Sequence, residues 1–202
     1  MIRKYAMLLS LLLISMPLTC WSVDKSCFPP ELIPDNLFPI VKLETSMGDI
    51  EVELNRMKAP QSANNFLRYV LEGEYDGTIF HRVMIGFVVQ GGGYTKDFEE
   101  KTLHDNVLNE SGNGLKNIRG SIAMARYSDP HTATRQFYFN MSDNASLDPG
   151  SRNWGYTVFG EVVSGMEVLD AIEAVETDYS EDLDAQDVPV TQVLLIKASV
   201  VE

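Results

Sequence analysis

The residues best suited to chemistry lie in one apolar stretch, residues 80–92, which holds an arginine and a glutamine eight positions apart. Arg82 and Gln90 stand in two short apolar runs, and Gly86 between them favours a tight turn. If the runs pair as strands, the glutamine carbonyl can orient the guanidinium against an apolar pocket. From the pattern alone, an arginine on a solvated sheet face is the more common arrangement. Both interpretations stay open at this point.

Motifs for covalent or phosphate chemistry are absent from the sequence. It has no Gly-x-Ser-x-Gly elbow and no His-Glu-x-x-His pair. The run Gly91-Gly92-Gly93 lacks the Lys-Ser/Thr that would make it a phosphate loop. Three histidines and two cysteines leave few soft ligands for zinc or iron. We therefore expect no metal and no cofactor.

The hydropathy pattern predicts the elements that would position this pair. Residues 40–54 alternate apolar and charged side chains around the turn Ser46-Met47-Gly48-Asp49, which is typical of a β-hairpin. One helix is predicted from Pro60 to Gly73 and another from Met166 to Val175. Further strands are expected in residues 78–83, 86–90, 121–125, 136–141, 157–163 and 188–201. Many short strands and two helices favour a closed antiparallel barrel with helices at its ends.

Length and charge limit the possible classes of protein. A chain of 202 residues, 45% of them hydrophobic, suits one domain with a sizeable core. A net charge of −13 argues against a nucleic-acid or anionic-membrane partner, because phosphate binding needs a basic face. Acidic residues crowd between Glu173 and Asp187, but their spacing lacks the order of a calcium loop. A solvated acidic loop is expected there, and a role in adhesion or host interaction is a weaker alternative.

Residues 1–22 have the features of a secretory signal peptide. Two basic residues precede a 13-residue apolar run, which is too short to span a bilayer. Cleavage is expected after Ser22, and loss of the two basic residues would make the net charge −15. A membrane anchor, or a lipoprotein signal cut before Cys20, fits less well. Only Cys27 would remain, so no intrachain disulfide is expected, and residues 23–39 form a Pro-rich extension.

The stretch from Phe80 to Gly92 closely resembles the signature of the cyclophilin-type peptidyl-prolyl cis-trans isomerases. The resemblance covers about residues 40–202, which we expect to be the isomerase domain. The signal peptide and the 143–148 loop are most similar to those of the periplasmic cyclophilins of Gram-negative bacteria. It implies a mainly β fold, a closed eight-stranded antiparallel barrel capped by two α-helices. Other matching segments are Gly120 to Arg126, Gln136 to Phe139 and Tyr156 to Gly160.

The resemblance implies a role for each matching residue. Arg82 is expected to be catalytic, because a permanently charged donor aimed at the prolyl nitrogen binds a twisted amide better than a planar one. His81 is expected at the rim, and Phe159 at the floor of the proline pocket. The expected substrate-binding residues are His81, Phe87, Val88, Gln90, Ala125, Arg126, Gln136, Tyr138, Leu147, Tyr156 and Phe159.

Several positions depart from the usual family pattern. Ser146 replaces an aromatic residue that helps to bind cyclosporin-type macrocycles, so weak sensitivity to them is expected. Tyr138 replaces phenylalanine, and its hydroxyl needs a partner. Arg135 replaces a small serine and would add positive charge near the rim. Trp154 is expected to pack in its own loop.

The sequence therefore predicts a cofactor-free isomerase in the periplasm, acting on X-Pro bonds of unfolded or flexible polypeptides. Its expected partners are proline-containing polypeptides, with no nucleic acid and no stable membrane insertion once the signal is cleaved, and it is expected to be a monomer. The alternative from another class is a binding or chaperone module whose groove holds proline-containing segments without useful turnover.

Overall fold

The computed structural model describes residues 36–201. The predicted signal peptide, most of the Pro-rich extension and Cys27 lie outside the described residues. Within residues 36–201, no helix is long and apolar enough to cross a membrane.

The described residues alternate many short strands with two helices, much as the hydropathy pattern predicts. The helices are α1 (Pro60–Leu71) and α2 (Met166–Glu173). Short 3-10 turns cover Ser111–Asn113 and Ala145–Leu147. The strands are β1 (Ile40–Thr45), β2 (Gly48–Leu54), β3 (Thr78–Ile79), β4 (Arg82–Met84), β5 (Val88–Gly91), β6 (Ser121–Met124), β7 (Phe137–Asn140), β8 (Val158–Ser164), β9 (Thr177–Ser180), β10 (Ala185–Pro189) and β11 (Leu194–Val201).

Nine strands form one curled antiparallel sheet in the order β3-β11-β1-β2-β8-β6-β7-β5-β4. The prediction of a mainly β, barrel-like fold with two helices is confirmed, but eight strands and complete closure are wrong in detail. The predicted strand 78–83 is interrupted at Phe80 and His81, which separates β3 from β4. These two strands are the edges of the sheet, and within the described chain neither pairs with the other.

Helix α1 and the inner face of the sheet form the main core. Pro60 starts the helix, where its missing N–H costs nothing, and the Glu110 carboxylate accepts hydrogen bonds from the next two backbone N–H groups. Phe66 then packs against Phe137 and Phe159, with ring centroids 5.3 Å away in both cases. Because side chains alternate across a strand, the core position of Phe137 turns Tyr138 to the opposite face.

The acidic segment after α2 differs from the solvated loop that the sequence predicts. Strands β9 and β10 pair there as a separate antiparallel hairpin, and β10 packs against β4. The carboxylate of Glu173, at the end of α2, accepts a hydrogen bond of 2.6 Å from the Gly86 N–H. This acidic residue therefore holds the turn between β4 and β5.

Candidate active site

Arg82 and Gln90 face each other across the hairpin of β4 and β5. They are direct partners in the strand register, so their side chains lie on the same face of the sheet. The Arg82 guanidinium donates to Gln90 Oε1 at 3.3 Å and to Met84 Sδ at 2.7 Å. A thioether is a weak acceptor, so these contacts orient the guanidinium without using its full donor capacity.

This face borders a cavity of about 220 Å³ between β5, β7 and the loops that follow β6 and β7. Apolar and aromatic side chains form most of its wall, while Arg82 and Gln90 supply polar groups on one side. Its floor includes Val88 and Tyr138, both buried. Nine residues line the cavity, and all nine are in the set expected from the sequence: Arg82, Phe87, Val88, Gln90, Ala125, Arg126, Tyr138, Leu147 and Tyr156.

Gln136 extends the polar side of the site. Its Oε1 accepts a hydrogen bond of 2.9 Å from Gln90 Nε2, so that Arg82, Gln90 and Gln136 form a chain of contacts. Gln136 also lines a second cavity of about 110 Å³, which shares Gln90, Ala125 and Arg126 with the first. A groove with two adjacent cavities is suited to an extended peptide.

Comparison with known proteins identifies the family of this chain. Residues 40–200 match the family described as cyclophilin type peptidyl-prolyl cis-trans isomerase/CLD. The chain belongs to this family. It is 54% identical over 138 residues to peptidyl-prolyl cis-trans isomerase A of Dickeya dadantii, which covers 68% of this chain and 73% of the relative. It is 45% identical to peptidyl-prolyl cis-trans isomerase B of Escherichia coli, over 81% of this chain and all of the relative.

A solved cyclophilin-type isomerase of Cryptosporidium parvum shows the same fold. Its structure in the presence of the dipeptide Ala-Pro has a TM-score of 0.67 and 26% sequence identity, and the match covers 81% of this chain and 99% of the other. Cyclophilin-type peptidyl-prolyl cis-trans isomerases therefore share both the sequence pattern and the architecture of this chain.

Two expected site residues of this cyclophilin lie away from the cavity. His81 was expected at the rim, but it is only 7% exposed and its ring packs edge-on against Tyr94 at 4.8 Å. Burial lowers the pKa of His81 to about 4, although hydrogen bonds to the Ile79 backbone and the Gln136 side chain oppose the shift. His81 is therefore neutral at pH 7 and supports Gln136 from behind.

Phe159 was expected at the floor of the proline pocket and is instead part of the main core. It is fully buried and packs against Phe66. Its neighbour Val158 clusters with Val88 and Tyr138 on the cavity side. The expected position is therefore occupied by Val158 and not by Phe159. Consecutive residues of a strand point to opposite faces, so an error of one residue moves a side chain from the cavity to the core.

The aromatic wall of the cavity is held by polar contacts outside it. The Tyr138 hydroxyl donates to Asn117 Oδ1 at 2.9 Å. This bond supplies the partner that the hydroxyl needs at a position where the family pattern has phenylalanine. Burial raises the pKa of Tyr138 well above its usual value, so the hydroxyl keeps its proton. Arg126 lies over the Tyr156 ring at 4.3 Å, and its N–H groups donate to nearby backbone carbonyls, including that of Trp154.

Arg135 adds no charge to the rim, which corrects the sequence-based expectation. Its side chain is fully buried and donates three hydrogen bonds of 2.6 to 2.7 Å to the backbone carbonyls of Glu74, Gly92 and Thr102. Its guanidinium also lies over the Tyr69 ring at 4.9 Å. Arg135 therefore joins three backbone segments behind the groove, and it does not line the cavity.

The loops around the cavity explain the other departures from the family pattern. Ser146 is exposed and does not line the cavity, while Trp154 packs against His131 at 5.1 Å. Sequence reasoning missed Met84, although its position two residues after Arg82 on the same strand predicts the shared face. It also missed the Gly86 contact with Glu173, which no local pattern signals.

The arrangement supports binding and electrostatic stabilisation. A permanently charged donor stands beside an apolar cavity, where a hydrogen bond is stronger than in open water. Among the described residues, the nine that line the cavity of about 220 Å³ include no cysteine, no serine and no carboxylate. A reaction that needs only a change in amide geometry fits these groups well.

Proposed function

We propose that this peptidyl-prolyl cis-trans isomerase acts on X-Pro bonds in unfolded or flexible polypeptides, and that it assists protein folding in the periplasm. The observation that carries the proposal is the Arg82 guanidinium, held by Gln90 at the edge of an apolar cavity. Arg82 is proposed as the catalytic residue, and the remaining lining residues and Gln136 as substrate-binding residues.

The chemistry follows from the electronic structure of the amide. Rotation costs about 18–20 kcal/mol because it destroys amide resonance, and uncatalysed X-Pro isomerisation takes tens to hundreds of seconds. As the amide twists, the prolyl nitrogen regains a lone pair that can accept a hydrogen bond. A donor aimed at that nitrogen binds the twisted amide more strongly than either planar form, which lowers the barrier. No covalent bond is made or broken.

The remaining residues would hold the proline and the chain around it. Phe87, Val88 and Tyr138 provide apolar surface for the pyrrolidine ring and exclude water around the amide. Gln136, between the two cavities, is placed to bind the peptide on one side of the rotating bond. A proline-containing ligand is supported by the related structure determined with Ala-Pro.

Exchange spectroscopy by NMR on an X-Pro peptide tests the activity directly, because it needs no coupled protease. We expect catalytic amounts of the protein to bring the exchange from tens of seconds to well below one second, and to accelerate the proline-limited refolding phase of a denatured protein. Suppression of aggregation without any acceleration of exchange would overturn the proposal in favour of the chaperone alternative.

The periplasmic assignment needs a separate test. Expression of the full chain in a Gram-negative host is expected to release a mature protein that starts at Val23 into the periplasmic fraction. N-terminal sequencing and cell fractionation measure both points. An uncleaved chain in the cytoplasmic fraction would contradict the localisation without affecting the isomerase activity.

A further inference from the structure

A second cluster of chemically capable side chains lies at the end of α1, behind the groove. Helix α1 ends at Leu71 with Glu72 as its C-cap, and Gly73 turns the chain with a left-handed φ of 66° to bring Glu74 alongside. His104 approaches from the loop of residues 101–106. Its backbone N–H donates to the Tyr69 hydroxyl at 2.8 Å, and its ring packs on the Tyr69 ring at 4.5 Å.

The three side chains direct their ligand atoms at a common point. His104 Nε2 lies 2.9 Å from Glu72 Oε2 and 3.4 Å from Glu74 Oε2, and the three ligand atoms are within 4.8 Å of one another. Ligands of a tetrahedral Zn²⁺ at 2.0–2.2 Å lie about 3.4 Å apart. The two distances from His104 Nε2 differ from that spacing by about half an ångström or less, and the two carboxylate oxygens lie within 4.8 Å of each other.

Two of these atoms are buried without a hydrogen-bond partner among the described residues. They are His104 Nε2, whose close approach to the carboxylates lacks hydrogen-bond geometry, and Glu74 Oε2. Arg135 does not satisfy Glu74 Oε2, because its nearest nitrogen is 3.8 Å away and donates to a backbone carbonyl. Buried polar atoms are rarely left unpaired. A single ligand bound between the three side chains would satisfy both atoms.

The surroundings also orient the ligands as a metal site requires. Arg68 Nε donates to Glu72 Oε1 at 3.1 Å, which leaves Oε2 of that carboxylate directed towards His104. A hydrogen bond to the non-ligating atom is the usual support for a metal-binding carboxylate. One imidazole nitrogen and two carboxylate oxygens suit a divalent transition metal and are a poor set for Mg²⁺ or Ca²⁺, which prefer oxygen alone.

We propose that Glu72, Glu74 and His104 bind one divalent transition-metal ion of the Zn²⁺ class, with a fourth position open to water. The site joins the end of α1 to the 101–106 loop, whose residue Leu103 lines the second cavity. Bound metal would therefore fix one wall of the peptide groove. No local sequence pattern indicates the site, because its ligands come from segments about thirty residues apart.

Calorimetric titration of the purified, reduced protein with Zn²⁺ tests the site without any substrate. We expect one ion to bind with a Kd of about 10 μM or tighter, with Mg²⁺ in excess failing to compete. Glu74→Gln keeps the size of the side chain, and both this variant and His104→Ala should weaken binding at least about tenfold. His131→Asn is the matched control, since it removes a histidine outside the cluster and should bind as the wild type does.

Circular dichroism of each variant without metal separates loss of a ligand from loss of folding. Absence of Zn²⁺ binding to the folded wild type would overturn the proposal and assign the cluster as an ion pair. Binding that is equal in wild type, Glu74→Gln and His104→Ala would overturn it as well, because the ion would then be held elsewhere. Neither outcome depends on the isomerase activity.

Discussion

The contribution of Arg82 to the proposed reaction can be measured with the substitution Arg82→Ala. In the structure without substrate, Arg82 makes one hydrogen bond of 3.3 Å to Gln90 and one to a thioether. Both are weak, and the side chain is only partly buried. The free energy of unfolding should therefore fall by less than about 1 kcal/mol, so that the variant stays folded.

The expected effect on the reaction is much larger. In the transition state, the guanidinium would donate a charge-assisted hydrogen bond to the prolyl nitrogen inside the cavity. Removing one such donor costs about 2–4 kcal/mol, and each 1.36 kcal/mol is a factor of ten. The kcat/KM of Arg82→Ala should therefore be about 30- to 900-fold lower. Arg82→Lys keeps the charge but lacks the planar fork, and an intermediate loss is expected.

Exchange spectroscopy on a short X-Pro peptide measures this difference, with urea titration of each variant as the check on folding. Arg119→Ala is the matched control, because it removes an exposed arginine that pairs with Asp170 away from the cavity. Its kcat/KM should equal that of the wild type. Equal kcat/KM for Arg82→Ala and the wild type would refute the proposed mechanism.

Three further predictions concern Arg135, His81 and Tyr138. Arg135→Met leaves three backbone carbonyls without a donor, so urea titration should show a loss of at least about 3 kcal/mol in the free energy of unfolding; a loss below about 1 kcal/mol would contradict the role of those bonds. The pKa of His81 is about 4 in the folded protein and 6.5 in the unfolded chain, so the unfolded chain takes up the proton first on acidification and stability is lost as the pH falls from 6.5 towards 4. Protonation of His81 should lower the free energy of unfolding by about 2 kcal/mol between pH 7 and pH 5. The pH-dependent loss over that range should be smaller by this amount in His81→Gln, and equal losses in both proteins would disprove the lowered pKa of His81. Tyr138→Phe removes the bond to Asn117 and should lower the free energy of unfolding by about 1 kcal/mol, while kcat/KM changes less than about twofold because the ring stays in place; a tenfold loss of activity would show that the hydroxyl acts on the substrate.

Local patterns predicted the hairpin that carries Arg82 and Gln90, but they left open whether the arginine faces solvent or a pocket, and the resemblance assigned its role. Arg82 and Gln90 are close in sequence, and the tight turn at Gly86 pairs the two short strands in a register that places these residues opposite each other. The resemblance then assigned the remaining lining residues by position. Both helices and most strands were predicted to within a few residues for the same reason, since their signals are periodic and local, but the β9-β10 hairpin was expected as a loop.

Long-range contacts account for the errors. Arginine is rarely buried completely, and nothing near Arg135 in the sequence shows that three distant carbonyls converge on it. The position of His81 depends on the break between β3 and β4, which interrupts an apolar run that looks continuous. Phe159 was assigned to the pocket by the resemblance, but adjacent residues of a strand face opposite sides, and it is Val158 that lies on the cavity side of β8.

The open edges of the sheet have a consequence for the proposed action on unfolded chains. An unpaired strand offers N–H and C=O groups on which another chain can add as an extra strand, which is a route to aggregation. The two edge strands, β3 and β4, are only two and three residues long, and the β10 strand packs against the second. Under the proposed function, an extended client would therefore find too few free backbone groups to join the sheet, and its contacts would be directed to the groove, from which it could dissociate.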